Sequence, residues 1–538
     1  MKKNFNSLNY HYPSRRFVVY GYRGMVAAST PMAAQAGLEV LKRGGNAIDA
    51  AVAAAATQTI VEPSSNGIGS DNFALVWSKN KLYGLNSSGR SPQSLTAEML
   101  RSNGYTKMPD YGVIPVTTPG APAGWAELTK RFGKLSLLEN LSPAIDLAER
   151  GFALGAKTSN LWRDGLEIYK NAGHTDNEFK HIFDTFTFNG SYPDAGDIIK
   201  LPDHARTLLE IGETNAESFY KGNLAEKIID FIKETGGYLT AEDLALHKAD
   251  WVDPISVNYK GYDVWEIPPN GHGIVALMAL NLLKKLELKE RESADTYHKM
   301  IEAIKLSFAD GQTYITDPDY MSVTVKQLLS DSYADDRRKL IGKTAIEPVK
   351  GDPSSGGTIY LCTADGEGNM VSLIQSNYMR FGSGLVVPGT GISLQNRGNN
   401  FSLDEKHDNC LDSGKRPYHT IIPGFMTKDD KAIGPFGVMG GFMQPQGHVM
   451  VVVNTVDFGM NPQDALDAPR FQWVGSKNVQ LEPTVPLNIS QELSQMGHNI
   501  IPMHDQTDFG RGEIIWRSED GSLVGATEPR TDGCVATW

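Results

Sequence analysis

The chain changes character at one threonine, within the segment Ser354-Ser355-Gly356-Gly357-Thr358-Ile359-Tyr360-Leu361-Cys362. A Ser/Gly run ends there, and a strand-like run with β-branched and aromatic residues begins. If the Gly357–Thr358 bond were cut, Thr358 would carry both a hydroxyl nucleophile and a free α-amine. Because an α-amine titrates near pH 8, it could take the hydroxyl proton without a histidine. Gly-Gly-Thr is also common where a loop enters a strand, so the segment alone leaves both interpretations open.

The composition is that of an ordinary soluble globular protein, with 538 residues, 40% hydrophobic and 21% charged. This length suggests more than one domain but allows one large α/β domain. The net charge of −12 argues against a large nucleic-acid footprint, so no nucleic-acid partner is predicted.

Targeting and redox signals favour a cytoplasmic protein. The segment Met1–Tyr10 has lysines but no following apolar run, so no signal peptide is predicted. The longest apolar stretch, Ala47–Val61, contains Asp49 and Gln58, which favours a buried helix over a membrane span. Three cysteines without CxxC spacing do not suggest a disulfide framework.

Apolar periodicity and turn residues predict alternating strands and helices. Before Thr358 we expect a strand at Gly24–Ala28, a hairpin at Phe73–Trp77 and Lys81–Leu85, and helices at Met32–Arg43, Ala47–Gln58, Leu141–Glu149, Leu224–Thr235, Ile274–Leu288, Asp295–Phe308 and Val325–Ile341. After it we expect a helix at Pro462–Leu466 and strands at Ile359–Thr363, Met370–Gln375, Ile433–Val438, Val449–Val453, Glu513–Trp516 and Leu523–Ala526. The polar segment Val349–Gly357 is predicted to be an exposed processing loop.

Three groups of residues could support attack by Thr358 on an amide. Gly440 and Gly441 directly follow a predicted strand, so their N–H groups could face an oxyanion, although a tight turn is the simpler interpretation. A two-strand hairpin could return Ser376 to the nucleophile. Arg90 and the segment Lys415–Thr420 could bind an anion or could be solvated turns.

Motifs for other chemistries are missing from the sequence. Its 12 histidines include no HExxH motif, and it has no GxSxG elbow and no P-loop lysine. We therefore predict no metal and no cofactor.

Many motifs, in order, resemble those of the γ-glutamyltransferase (glutathione hydrolase) family of N-terminal-nucleophile hydrolases. They extend from about Gly24 to the C-terminus. They are Gly44–Ala51, Ser65–Gly69, Pro119-Gly120, Gly124-Trp125, Gly236–Thr240, Asp243-Leu244, Phe381–Gly384, Gly391–Asn396 and Gly440-Gly441.

The resemblance implies a four-layer αββα sandwich, of mixed α/β (α+β) class, and a precursor that cleaves itself at Gly357–Thr358. Residues 1–357 would become the large subunit and 358–538 the small catalytic subunit, intertwined in one globular unit. Thr358 matches the family's nucleophile, Ser376 lies where the family has a supporting threonine, and Gly440 and Gly441 match the oxyanion-hole pair. A higher oligomer is left open.

The chain departs from the family in the segments that bind the acyl group of the substrate in typical members. Typical members have Asn-Asn-Gln-Met-Asp-Asp-Phe where this chain has the run from Gln395 to Phe401, so Asn400 replaces the aspartate expected to pair with an α-ammonium. The family's Ser-Ser pair is replaced within Lys415–Thr420, and the segment before it is too short for the family's lid loop. Arg90 lies two residues before its proline, whereas the family's carboxylate-binding arginine lies four before.

The predicted substrate is a small molecule. The residues predicted to contact it are Arg90, Asn396, Arg397, Asn400, Arg416, Tyr418 and His419. The first hypothesis is hydrolysis of γ-glutamyl amides such as glutathione, with hydrolysis favoured over transfer because the lid is absent. The second is the same chemistry on another acidic acyl amide, resembling cephalosporin or glutaryl acylases and oxamate amidohydrolases. The third is an unprocessed binding homologue.

Overall fold

Two seven-stranded antiparallel sheets form the centre of the protein in a computed structural model, which describes residues 16–348 and 357–538. The strands are β1 (Val19–Gly21), β2 (Gly24–Ala28), β3 (Asp71–Ser78), β4 (Lys81–Ser87), β5 (Phe152–Ala153), β6 (Ile198–Ile199), β7 (Asp250–Val252), β8 (Ile255–Tyr259), β9 (Tyr262–Glu266), β10 (Gly357–Asp365), β11 (Met370–Tyr378), β12 (Val386–Val387), β13 (Ile392–Ser393), β14 (Gly424–Lys428), β15 (Lys431–Met439), β16 (Phe471–Trp473), β17 (Asn478–Leu481), β18 (Asn499–Pro502), β19 (Arg511–Arg517), β20 (Leu523–Thr527) and β21 (Cys534–Thr537).

Helices cover the outer faces of both sheets. The helices are α1 (Pro31–Lys42), α2 (Ala47–Val61), α3 (Ala97–Ser102), α4 (Ala121–Phe132), α5 (Leu137–Arg150), α6 (Ala156–Asn171), α7 (Lys180–Phe186), α8 (Pro202–Glu213), α9 (Glu217–Lys221), α10 (Asn223–Glu234), α11 (Ala241–Leu246), α12 (Gly273–Leu283), α13 (Ala294–Tyr314), α14 (Val325–Leu328), α15 (Asp331–Arg338), α16 (Met443–Val456), α17 (Pro462–Asp467) and α18 (Leu487–Gln495).

Three apolar layers alternate with the sheets and helices. One lies between α1, α2 and α5 and the sheet β21-β2-β10-β11-β3-β4-β7. Another lies between α12, α13 and α16 and the sheet β1-β20-β19-β15-β14-β9-β8. The third, which includes Phe73, Tyr360 and Phe425, lies between the two sheets. The arrangement is the predicted four-layer αββα sandwich, because each sheet buries one face on helices and the other on its partner sheet.

Both halves of the sequence build each sheet. In the first sheet, β10 and β11 lie between β2 and β3, so strands from after residue 357 are inserted among strands from before it. Asp365, at the end of β10, accepts a 2.9 Å hydrogen bond from the backbone N–H of Ala47, at the start of α2. Asn46 caps that helix in a reciprocal box with Asp49. The Asp365–Ala47 hydrogen bond crosses between the two predicted subunits.

The structure corrects two predicted elements. The run Val449–Val453 was expected to be a strand but lies in α16, which is buried along Met443–Asn454. A short apolar run has the same sequence pattern in a buried helix as in a buried strand, so periodicity could not separate them. Val325–Ile341 contains two short helices rather than one, because Ser330 caps α15 by accepting a hydrogen bond from Tyr333 N–H.

Most other elements occur where they were predicted, although their bounds differ by a few residues. The sequence pattern did not predict the C-terminal strand β21, which pairs with β2. The predictions for residues 1–10 and 349–356 lie outside the described residues. Across the described ranges, no helix combines the length and apolar character that crossing a membrane requires.

Candidate active site

Thr358 lies at an irregularity near the start of β10. Gly357 pairs with Tyr378 and Ile359 with Gln375, and the register shifts between them. The Thr358 hydroxyl donates a 3.1 Å hydrogen bond to Oγ of Ser376 on β11, in the buried interior. A β-bulge re-aims a side chain at the end of a strand. The bulge therefore brings together the two hydroxyls that the sequence pattern had proposed as partners.

Ser376 is a hydrogen-bonding centre. Its Oγ also accepts from the backbone N–H of Tyr378 at 2.8 Å and from a guanidinium nitrogen of Arg397 at 3.2 Å. Tyr378 has a φ of +77°, which is a strained conformation for a residue with a bulky side chain. Such strain concentrates at functional sites where the surrounding contacts enforce it.

Gly440 and Gly441 form the turn from β15 into α16. Their φ angles of +131° and +57° are ones that glycine adopts readily. Gly440 lines a cavity of about 210 Å³ together with Ser65, Met379 and Arg511. Three residues after Gly441, Gln444 Nε2 lies 3.4 Å from the Thr358 hydroxyl oxygen. The turn therefore leads directly to a side chain that contacts Thr358.

Arg397 is fully buried beside the two hydroxyls. One terminal nitrogen donates to Ser376 and the other donates a 2.6 Å hydrogen bond to Thr420 Oγ1. Its guanidinium carbon lies 4.5 Å from the centre of the Tyr378 ring. Burial lowers the pKa of Arg397 to about 10, so the side chain remains a cation at neutral pH. The site therefore holds a positive charge next to the predicted nucleophile's partner.

A cavity of about 760 Å³ opens beside this cluster. Tyr378, Asn400, Tyr418 and Phe442 contribute to its wall. Asn400 Nδ2 is buried and has no hydrogen-bond partner among the described residues. The Tyr418 ring stacks on Phe442, and its hydroxyl lies 3.0 Å from His272 Nδ1. This volume suits a small-molecule ligand.

Three of the predicted substrate contacts hold other parts of the fold together. Asn396 accepts from Met379 N–H and donates to the Asp110 carbonyl, which fixes the turn after β11. Arg416 pairs with Asp250 at 2.8 Å. The Arg90 side chain is 42% exposed and pairs with Asp317 at 2.7 Å. None of the contacts named here for Asn396, Arg416 and Arg90 involves Thr358 or Ser376.

His419, another predicted substrate contact, is buried in the interior. Its Nε2 lies 2.8 Å from a carboxylate oxygen of Asp71. Burial, reinforced by nearby Arg397, keeps the pKa of His419 well below its ordinary value, so the ring is neutral. The sequence reasoning did not select Asp71 or Gln444. The signal for Asp71 was its place two residues after the Ser65–Gly69 motif, and for Gln444 its place three residues after Gly441.

One other buried cluster brings potential metal ligands together. Nitrogen or oxygen atoms of His298, Glu302 and His498 lie within 4.8 Å of one another. The Lys305 ammonium lies 2.7 Å from Glu302 Oε1, and the two histidine rings are hydrogen-bonded at 2.8 Å. Because Lys305 already supplies the counter-charge of the carboxylate, the cluster is balanced without a cation.

The αββα layers and the strand-borne threonine place the protein among N-terminal-nucleophile hydrolases. The family model for gamma-glutamyltranspeptidase matches residues 33–538. The chain belongs to the gamma-glutamyltranspeptidase family, as its sequence motifs indicated.

Similar proteins carry several different names. The glutathione hydrolase-like YwrD proenzyme of Bacillus subtilis (strain 168) is 35% identical over 96% of this chain and 99% of its own length. The oxamate amidohydrolase proenzyme of Klebsiella pneumoniae is 32% identical, over 96% of this chain and 98% of its own. The crystal structure of cephalosporin acylase from Bacillus halodurans is 58% identical, with a TM-score of 0.96 and 99% coverage of both chains.

Proposed function

We propose that this protein is a self-processing threonine amidohydrolase that cleaves amides of a small acyl group bearing a carboxylate. The observation that carries the substrate class is the buried guanidinium of Arg397, 3.2 Å from the Ser376 hydroxyl that accepts the hydrogen bond of Thr358. A buried cation attracts an anionic group strongly because little water screens it. The two cleavage products would remain together through the sheets that they share.

Processing begins with the Thr358 hydroxyl. Its oxygen attacks the carbonyl carbon of Gly357, the C–N bond to Thr358 breaks, and the nitrogen takes a proton to become the new α-amine. Water then hydrolyses the resulting ester, which frees the Thr358 hydroxyl and the carboxylate of Gly357. The 3.1 Å hydrogen bond to Ser376 would hold the hydroxyl in position for both events.

Substrate cleavage would use the same atoms. The α-amine takes the hydroxyl proton as the oxygen attacks the substrate amide, and the N–H groups of Gly440 and Gly441 stabilise the oxyanion. The α-ammonium returns the proton to the leaving amine, leaving an acyl ester on Thr358. Water, activated by the α-amine, releases the acid. Without the family's lid loop, we expect hydrolysis to exceed transfer to amino acids or peptides.

Two side chains favour an acyl group without an α-ammonium. Asn400 supplies an amide where the family's aspartate would pair with that cation, and Arg397 stands where the family has glutamine. A cationic group near Arg397 would meet like charge in a water-poor site. The names cephalosporin acylase and oxamate amidohydrolase among the similar proteins are consistent with an amide other than a γ-glutamyl one.

A γ-glutamyl amide such as glutathione is the second candidate. It is supported by family membership and by the B. subtilis relative named glutathione hydrolase-like. The γ-glutamyl group also carries a carboxylate, which Arg397 could bind. The two candidates differ in whether the acyl pocket tolerates an α-ammonium.

Two measurements test the proposal in sequence. Denaturing gels of the purified protein should show two bands, with Thr358 as the first residue of the smaller one, while Thr358→Ala should stay as one chain. Hydrolysis of glutaryl-p-nitroanilide should then exceed that of γ-glutamyl-p-nitroanilide. A clear preference for the γ-glutamyl compound would replace the first candidate with the second. A persistent full-length band would instead support an unprocessed binding protein.

A further inference from the structure

Asp71 occupies the position opposite Ser376 on the neighbouring strand. The two residues are directly paired in the ladder between β3 and β11. Asp71 is fully buried, and its Oδ1 accepts a 3.0 Å hydrogen bond from the backbone N–H of Gly89. Its Oδ2 lies 2.8 Å from Nε2 of His419. The carboxylate is therefore held rigidly beside the proposed catalytic hydroxyls.

The hydrogen bonds of His419 identify which nitrogen carries the proton. The backbone N–H of Ile421 donates to His419 Nδ1 at 3.3 Å, so Nδ1 is an acceptor. The neutral ring then has its proton on Nε2 and donates it to Asp71. This bond favours the ionised form of Asp71 and fixes the direction of its Oδ2.

Arg397 faces the same oxygen. Its Nε lies 4.0 Å from Asp71 Oδ2 and makes no hydrogen bond to any described residue. The two terminal nitrogens are directed to Thr420 and Ser376. One carboxylate thus opposes the charge of the guanidinium from its Nε edge, while its terminal nitrogens bond the hydroxyls of Thr420 and Ser376.

We propose that Asp71, oriented by His419, is a specificity-determining residue that offsets the charge of Arg397 and thereby sets how strongly the acyl pocket attracts an anionic group. This inference rests on the proposed function, in which Arg397 receives the carboxylate of the acyl group. Asp71 does not touch the substrate in this arrangement; it acts through Arg397 as a positioning residue.

The charge of this pair should depend on pH near neutrality. Burial raises the pKa of Asp71 to about 7, against the opposing effects of Arg397, of the Gly89 N–H and of Arg416. Arg416 itself pairs with Asp250, and the nearby phenol of Tyr220 is neutral because burial raises its pKa. Arg397 stays charged and His419 neutral through this range.

The direction of the pH effect on affinity follows from the charges of Asp71 and Arg397. Below about pH 7 Asp71 is protonated, and the Arg397–Asp71 pair carries one net positive charge. Above it Asp71 is ionised and the pair is neutral. Affinity for an acyl carboxylate should therefore fall as the pH rises through 7, by roughly tenfold for a charge several ångströms from the ligand in a partly buried site.

The experiment measures binding of glutarate to the processed enzyme between pH 6 and 8, as competitive inhibition and by calorimetry. From pH 6 to pH 8, the affinity of the wild type for glutarate should fall by roughly tenfold relative to that of Asp71→Asn. The Asp71→Asn variant should retain at pH 8 most of the affinity that it has at pH 6. The α-amine of Thr358 titrates in both enzymes and cancels in the comparison. Asp457→Asn, which removes another buried, cation-paired carboxylate, should follow the wild-type profile.

The outcomes separate the two proposals. Equal pH dependence in the wild type and Asp71→Asn would overturn the role of Asp71 while leaving the acidic substrate class intact. Failure of glutarate to bind the wild type at pH 6 would overturn the substrate class and this inference with it. If Asp71→Asn does not fold or process, His419→Asn provides the second test. Loss of the Nε2–H donor should move the midpoint of the wild-type profile to higher pH, and an unmoved midpoint would contradict the proposal.

Discussion

Asp71 and Ser376 face each other across two strands of one sheet, and the guanidinium of Arg397 lies against both. Arg397 is 3.2 Å from the Ser376 hydroxyl and 4.0 Å from the Asp71 carboxylate. The strand ladder fixes the separation of the hydroxyl and the acid, so the cation between them has little freedom to move. In the proposed function, support of the nucleophile and recognition of the acyl group would therefore be coupled through the side chain of Arg397.

Ser376→Ala should slow both processing and substrate hydrolysis. It removes the acceptor of the Thr358 hydroxyl, and a lost hydrogen bond of about 1.4 kcal/mol corresponds to roughly tenfold in rate. Ser376→Thr keeps the hydroxyl and should stay within about threefold of the wild type by the same reasoning. The measurements are the time course of the smaller band on denaturing gels and kcat. Equal rates for wild type and Ser376→Ala would show that the hydroxyl plays no such part.

Gly440→Ala should abolish most activity and leave the fold largely intact. An alanine there must adopt a φ of +131°, so the turn will shift and the N–H groups will be misdirected. Loss of one oxyanion donor typically lowers kcat by about 10²–10³. Gly44→Ala is the matched control, since Gly44 also has a positive φ but is exposed, with no atom near the added methyl group. If both variants keep wild-type kcat, the turn is not part of the oxyanion site.

For Thr358, Ser376 and the Gly440-Gly441 turn, local sequence patterns left an ordinary loop, strand end or turn open, and the ordered family motifs supplied their predicted roles. Asp71 and Gln444 reach the same site through tertiary structure. Asp71 lies at the site because β3 pairs with β11, and Gln444 lies there because the start of α16 is next to Thr358 on β10. No single-sequence pattern encodes which strands become neighbours.

The predicted substrate contacts were the hardest to place from sequence, because a cation in a loop sequence can be buried or solvated. Arg397 and His419 are fully buried in the site, whereas Arg90 is partly exposed and paired elsewhere. These side chains belong to the same predicted class in sequence. Only the packing distinguishes the half-exposed Arg90, which pairs with Asp317, from the fully buried Arg397 beside Ser376.

Arg397→Gln combined with Asn400→Asp should reverse the substrate preference. The double change restores the residue types of typical family members, removing a cation and supplying an acid for an α-ammonium. We expect kcat/KM for glutaryl-p-nitroanilide to fall roughly 100-fold, as for loss of a buried charged hydrogen bond, while that for the γ-glutamyl compound rises relative to it. For Arg397→Lys, kcat/KM for glutaryl-p-nitroanilide should lie between the values of the wild type and the double variant, because lysine keeps the positive charge but lacks the planar guanidinium. Parallel losses on both substrates would indicate a general role for Arg397 instead.

Arg90→Ala tests a substrate contact predicted from sequence alone. The Arg90 guanidinium already bonds Asp317 at 2.7 Å and the Gly414 carbonyl at 3.0 Å. The substitution should therefore change KM for the acidic substrate by less than about threefold, since these bonds direct the guanidinium to Asp317 and Gly414 rather than to Thr358 or Ser376. An increase in KM as large as that of Arg397→Gln would show that Arg90 binds the substrate after all.

Glu302→Gln should destabilise the protein and impair processing. Glu302 and Lys305 form a fully buried pair, and both also bond the backbone of Ile346, which precedes the predicted cleavage segment. Removing one partner of a buried pair costs about 3–5 kcal/mol, because the other charge remains in a low dielectric. The double variant Glu302→Met with Lys305→Met leaves no unpaired charge and should recover much of the thermal stability, but it does not restore the two bonds to Ile346. Melting temperature therefore reports the ion pair, whereas the rate of band formation reports the anchor. Slow processing in the stabilised double variant would show that this anchor positions the segment that is cut, and normal processing would show that it does not.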